Sequence, residues 1–166
     1  PDGINSFQNT RRAILANRGF CMVHAPEFKT YHANSWGASA GDSPWGYDVS
    51  GAAPALHEPE PNGTVSIYSA VASLPFTPEE TLDMMRYLYQ NHPQTWGPYG
   101  FYDAYNLAVD PPWYSDSLYG IDKGCSMLMI ENYLSGLVWD VYTNSAPIQK
   151  ALSILGFTER TGAPSR

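Results

Sequence analysis

Apolar residues recur at three- and four-residue intervals from about Ser6 to Met22, where Phe7, Ile14, Leu15 and Cys21 share a stripe with Arg18. The spacing predicts a helix capped by Ser6. Between Ala25 and Thr64 the periodicity lapses into a stretch rich in Gly, Pro, Ser and Asn, longer than compact domains usually leave without structure. Its early part, 36–47, carries too many large rings for a linker and reads as an ordered loop, whereas the proline-rich Ala52 to Asn62 section reads as more mobile. Val65 to Leu74 suits strand locally at Thr64 to Ile67 and helix at Ala70 to Ser73; helix is the preferred reading. Thr77-Pro78-Glu79-Glu80 is a firmer signal, with an N-cap, a first-turn proline and a following glutamate, so a helix should run to about Asn91 with Leu82, Met85, Leu88 and Tyr89 on one face. Pro93 ends it.

Cys125 to Thr143 is apolar almost all round, which predicts one long helix buried on most sides, with Met129, Ile130, Tyr133, Leu137 and Val141 facing inward. A last helix should start at Ser145 and reach Gly156, a plausible C-cap, before a polar tail from Thr158. No convincing sheet emerges. The pattern is all-α, with helices joined by long aromatic-rich loops.

At 166 residues the chain is long enough for one domain with a sizeable core. A net charge of -7 opposes binding to a phosphate backbone, so nucleic acid is not an expected partner. No apolar run reaches the ~20 residues of a membrane-spanning helix, and no membrane association is expected. The two cysteines, Cys21 and Cys125, have no metal-ligand spacing; a disulfide between them stays open, with buried free thiols preferred. Pro1-Asp2-Gly3 is neither an initiator methionine nor a basic leader, which suggests a processed product or a piece of something longer.

Candidate chemistry centres on two runs, Tyr99-Gly100-Phe101-Tyr102-Asp103-Ala104-Tyr105-Asn106 and Tyr119-Gly120-Ile121-Asp122-Lys123-Gly124. Each sets a carboxylate among aromatics and glycines. An aspartate on such a turn can be a mere cap, and Asp122 just ahead of the long helix could be one. Two of them together point further, because cleaving a glycosidic bond takes a carboxylic acid and a carboxylate, and aromatic faces are the platforms on which sugar rings stack. The pair is expected on loops at the mouth of the helix. Glu131 in an apolar run needs a partner, either Arg11 or Arg12, or else it faces a cavity. Asp42 is the better loop candidate beside Trp36, Trp45 and Tyr47. His24, His32, His57 and His92 make no metal motif, the serines no nucleophile elbow, and the glycines no dinucleotide or phosphate loop.

These residues resemble those of the glucoamylase-like (glycoamylase) domain family, whose members include bacterial endo-β-1,2-glucanases and the transglycosylating region of cyclic β-1,2-glucan synthases. The resemblance covers nearly the whole chain. It is carried by Trp36-Gly37 through Gly46-Tyr47, by Ser73-Leu74-Pro75-Phe76 with Pro78-Glu79, and by the Asp103 run. Gly120-Ile121-Asp122-x-Gly124, followed by Met129-Ile130-Glu131-Asn132-Tyr133 and Gly136-Leu137-x-Trp139, is the most specific block. Lys123, Leu134 and Tyr68-Ser69 depart from the usual pattern.

The resemblance implies an (α/α)6 toroid of which residues 1–166 form the C-terminal part, the N-terminal half of the domain lying outside this sequence. It implies a glycoside hydrolase of β-linked glucan, most naturally β-1,2-glucan, inverting, with no metal or organic cofactor. Asp122 would be the base and Asp103 its companion, while the general acid belongs to the absent half. Trp36, Asp42, Trp45, Tyr47, Tyr102, Asn106 and Glu131 would bind an oligo- or polysaccharide. A periplasmic or secreted location follows from the family alone. The alternative is a non-catalytic glycan-binding or assembly fragment that needs a partner chain, the missing half, to complete its cleft.

Overall fold

The computed structural model describes residues 5–49 and 60–158. Helix α1 (Ser6–Val23) leads into a hairpin of β1 (Ala40–Gly41) and β2 (Asp48–Val49). Strand β3 (Thr64–Ser66) runs directly into α2 (Ile67–Val71), and α3 (Pro78–Asn91) follows. A second hairpin joins β4 (Trp96–Gly97) to β5 (Gly100–Phe101), then come β6 (Ala104–Asn106) and β7 (Trp113–Tyr114). The chain closes with α4 (Gly120–Leu134), α5 (Leu137–Thr143) and α6 (Ala146–Ile154).

Helices dominate, but the all-α expectation needs correcting. Three small antiparallel sheets are present among the described residues: β1 with β2, β4 with β5, and a central β3-β6-β7. Val65 lies opposite Tyr105 and Ser66 opposite Ala104. All three residues of β3 and of β6 are buried, so neither strand shows the polar-apolar alternation by which a strand is read. The preferred helix over Val65 to Leu74 is therefore a strand that becomes a helix at Ile67.

Packed around this sheet are Cys21, Tyr31, Trp36, Ile67, Met84 and Leu88. Polar side chains sit inside with them and are bonded there, as burial requires. Asn106 donates to the Asn62 carbonyl at 3.0 Å and to Thr64 Oγ1 at 3.1 Å, and accepts the Ala108 N–H at 2.8 Å. Thr30 Oγ1 accepts the Leu107 N–H at 2.7 Å, while Ser35 bonds both Tyr105 and the Thr30 carbonyl. The buried face of α3 is Thr81, Met84 and Leu88, a step round from the expected one, leaving Tyr89 exposed.

Caps differ from their forecast too. Asn5, rather than Ser6, caps α1 by accepting the Gln8 N–H at 3.0 Å. Thr77 turns its hydroxyl to the Ser73 carbonyl, so α3 starts without a side-chain cap.

The expected single helix from Cys125 to Thr143 is two helices. Gly136, at φ 72°, ends the first and starts the second, a backbone state that glycine adopts without penalty. Asn132 holds the corner by accepting the Trp139 N–H at 2.9 Å. Nor is the pair buried on most sides: Tyr133, Leu134, Leu137 and Val141 are exposed, and no residue of α5 or α6 is buried. Cys21 is buried but Cys125 is exposed, and both are free, which settles the disulfide question against a bond. The reading of Ala52 to Asn62 as mobile, and of the tail from Thr158 as frayed, lies for the most part outside the described residues.

Candidate active site

Asp103 sits in the turn between β5 and β6, and its burial follows from what lies on it. Gly41 crosses so close that a Cβ there would stand 3.0 Å from Asp103 Oδ2 and 2.8 Å from Ser66 Oγ. The next peptide then donates the Asp42 N–H to Asp103 Oδ2 at 2.7 Å. Burial pushes the Asp103 carboxyl up to about 7, against the pull of that N–H and with help from the Asp122 and Asp42 carboxylates. Such a group holds a proton near neutral pH.

Asp122 was expected on a loop at a helix mouth; it lies within the first turn of α4, where the helix dipole favours a negative charge. It is buried close enough to Asp103 for its charge to raise the Asp103 carboxyl. The Tyr47 hydroxyl donates to both Asp122 oxygens, at 3.3 and 3.4 Å, and loss of water with the neighbouring Asp122 charge pushes the Tyr47 phenol up to about 12. Tyr47 rests edge-on against Tyr119, ring centres 4.9 Å apart. From α2, the Tyr68 hydroxyl donates to the Ala40 carbonyl at 2.8 Å and meets Ser39 at 3.2 Å. Its phenol is raised by burial, with smaller contributions from both aspartates.

Lys123, next to Asp122 in sequence, turns its ammonium to the Phe101 carbonyl. Burial lowers its proton affinity, and Asp103 works in the opposite direction. Beside Asp103 opens a cavity of about 620 Å³. Its aromatic side is Trp96, Tyr99, Phe101, Tyr102 and Tyr119; Met85, Leu118, Met127 and Ile130 make the rest largely apolar. Trp96 is held edge-on by Tyr89 and Phe101, with ring centres 5.3 and 4.7 Å away.

The structure thus brings together Asp103, Asp122, Asp42 and Tyr47, with Tyr102 on the cavity wall. It does not open every candidate to a ligand. Trp36 is 1% exposed in the core and Asn106 is spent on β3, while Trp45 stands free on the loop surface. Asp42 accepts from the Ser115 hydroxyl at 2.5 Å and from the Ser43 N–H at 3.1 Å. Glu131, nine residues and about 13 Å along α4 from Asp122, is bonded by Ser135 instead of Arg11 or Arg12. Ser115, Tyr68 and Tyr119 were not among the site residues expected from the sequence. A tyrosine three residues ahead of Asp122 was the one available cue, since nothing in a serine's surroundings distinguished Ser115.

Two carboxyl groups buried this close lie on the same side of any bond they act on. As a pair they can share one proton and present one carboxylate to a single face of a substrate. Among the described residues no cluster of His, Cys, Asp and Glu could hold a metal ion.

The arrangement is thus an aspartate pair beside an aromatic-walled cavity in a mainly helical fold. The family model Glycoamylase, described as "Putative glucoamylase", matches residues 1–146, and the chain belongs to this family. An exo β-1,2-glucooligosaccharide sophorohydrolase (non-reducing end) of Parabacteroides distasonis is 33% identical over 152 residues, which are 89% of this chain and 20% of that protein. The solved endo-β-1,2-glucanase of Chitinophaga pinensis, in complex with sophorotriose and glucose, superposes with a TM-score of 0.80 at 32% identity, over 90% of this chain and 34% of that one. The β-1,2-glucanase of Parabacteroides distasonis gives 0.79 at 33% identity, over 90% and 21%. The chain therefore spans about a fifth of the curated relative and about a third or less of these two solved relatives.

Proposed function

We propose that this chain supplies one wall of the cleft of a glycoside hydrolase acting on β-linked glucan, β-1,2-glucan before other linkages. The observation that carries this is the burial of Asp103 and Asp122 as neighbours, with Asp103 on the wall of an aromatic-walled cavity. In this reading Asp103 keeps the shared proton, and Asp122, steadied by the Tyr47 hydroxyl, is the base. Asp122 takes a proton from water as the water oxygen attacks the anomeric carbon. The glycosidic oxygen leaves with a proton from an acid on the opposite face. That acid belongs to a part of the enzyme beyond this chain, which matches the small share of its relatives that the chain spans. Inversion, a partial (α/α)6 toroid and a periplasmic or secreted location belong to the same proposal.

A second reading has its own support. The exposed apolar side chains of α4, α5 and α6 suit a fragment that is completed by another polypeptide and does no chemistry alone. One experiment separates the two: size-exclusion and intact-mass analysis of the purified protein beside a reducing-sugar assay on linear β-1,2-glucan. Sugar release that Asp122→Asn cuts by about 10²-fold or more supports the hydrolase. An active preparation indifferent to Asp122→Asn overturns the catalytic assignment, and a lone 18.4 kDa chain that binds glucan without cleaving it favours the second reading.

A further inference from the structure

Asp42 lies in the aromatic loop beside the aspartate pair, where a carboxylate would ordinarily be taken for a sugar ligand. Both of its oxygens and its N–H are engaged by neighbouring residues. Ser115 Oγ donates to Asp42 Oδ2 at 2.5 Å, and the Ser117 N–H donates to Ser115 Oγ at 3.0 Å. The Asp103 N–H donates to the Ser117 carbonyl at 3.3 Å, and the Asp42 N–H closes the circuit on Asp103 Oδ2 at 2.7 Å. Asp42, Ser115 and Asp103 are all buried. Gly41 makes the close approach possible, because any side chain there would collide with Ser66 and press on Asp103.

We propose that Asp42 is a positioning residue: its carboxylate, locked by Ser115, pins the 36–47 loop so that its own backbone N–H is fixed on Asp103. The geometry stands by itself, and its catalytic meaning rests on the hydrolase reading. A buried carboxylate near another would normally add only repulsion. Here the residue that brings the charge also brings the N–H that offsets it. The other titratable groups facing Asp103 are Asp122 and Lys123 from α4, Tyr68 from α2 and Tyr47 from the loop. The loop that carries Tyr47 to Asp122 is thereby tied to Asp103, so both aspartates are set by one anchor.

The test is an NMR titration of the whole chain labelled at the aspartate carboxyl carbons, with Asp103→Asn to assign the resonance. In the unaltered protein the Asp42 amide proton should follow the Asp103 titration with the same midpoint. Asp42→Asn keeps an oxygen for Ser115 and keeps the backbone N–H while removing a charge, so Asp103 should titrate lower. Ser115→Ala frees the loop, so Asp103 should titrate higher and the Asp42 amide should exchange about tenfold faster. Ser115→Thr keeps the hydroxyl and should restore both. An Asp42 amide indifferent to the Asp103 titration, unchanged exchange in Ser115→Ala, or shifts of the same sign in Asp42→Asn and Ser115→Ala would overturn the proposal. None of these readouts needs turnover. If they come out as expected and no glucan is cleaved, the anchor stands and the hydrolase reading falls.

Discussion

The sheet around β3 and β6 and the helices α4 to α6 reverse the usual assignment of inside and outside. Around the sheet, Thr30, Ser35, Thr64, Ser66 and Asn106 are fully buried yet bonded. Along the C-terminal helices Leu134, Val141 and Ile154 stand 71, 66 and 74% exposed. The first region satisfies these polar groups from within, although the buried Trp36 indole N–H beside them has no partner. The second keeps an apolar surface that burial would stabilise by roughly 25 cal/mol for each Å² covered. One part of the chain is closed on itself, then, and the other keeps its apolar surface open.

The contrast can be broken first in the closed region. Leu88→Ala should cost about 2–5 kcal/mol in urea unfolding, since the side chain is fully buried among well-packed neighbours. A cost near zero would mean that the sheet region is no tighter than the helices. A pH experiment comes next. In the folded chain Asp103 keeps its proton to about pH 7, whereas a free carboxyl loses it near 3.8. The folded state binds more protons between those values, so its stability falls as pH rises through that window. Asp103→Asn removes this loss and should raise Tm at pH 8 by up to about 10 °C while giving no gain at pH 3.5. An equal effect at both pH values would refute the raised affinity.

Smaller effects sharpen the boundary and the uncovered side. Gly136→Ala forces a side chain into a left-handed backbone and should destabilise by about 1 kcal/mol, visible as early loss of helix signal from the C-terminal end. Ile154→Ser should change the stability of the isolated chain by less than about 0.5 kcal/mol and should lower its tendency to self-associate in light scattering. A large loss of stability there would show that the residue is already packed.

Those contrasts also mark what the sequence could disclose. Helices α1, α3 and α6 were legible because apolar residues recur along them at helical spacing, and Pro78 and Gly156 punctuate their ends. Strands of two or three residues lie below the length at which alternation can be seen, so the sheets were not legible. The uniform apolar character from Cys125 to Thr143 reads alike for a helix buried in its own chain and for one exposed until covered. Gly136 was the overlooked break. Asp103 and Asp122 stood out by their setting among tyrosines and glycines, yet their closeness joins residues from a turn and a helix that only the fold brings together. Trp36 and Tyr47 come from one loop with similar local sequence, but the loop folds Trp36 into the core and leaves Tyr47 on Asp122. Local composition contains no term for that choice.

The unequal exposure of the two cysteines turns the molecule into its own reporter. Cys21 is sealed in the core, and burial pushes its thiol up to about 11, so it is starved of the reactive thiolate. Cys125 is open on α4, between Asp122 and the exposed Met127 and Leu128. A maleimide dye should therefore mark one position only, and its labelling rate becomes a clock for how long that helix stays bare. Slowing of the clock as other polypeptides or glucans are added would time the covering of α4 without a substrate being turned over.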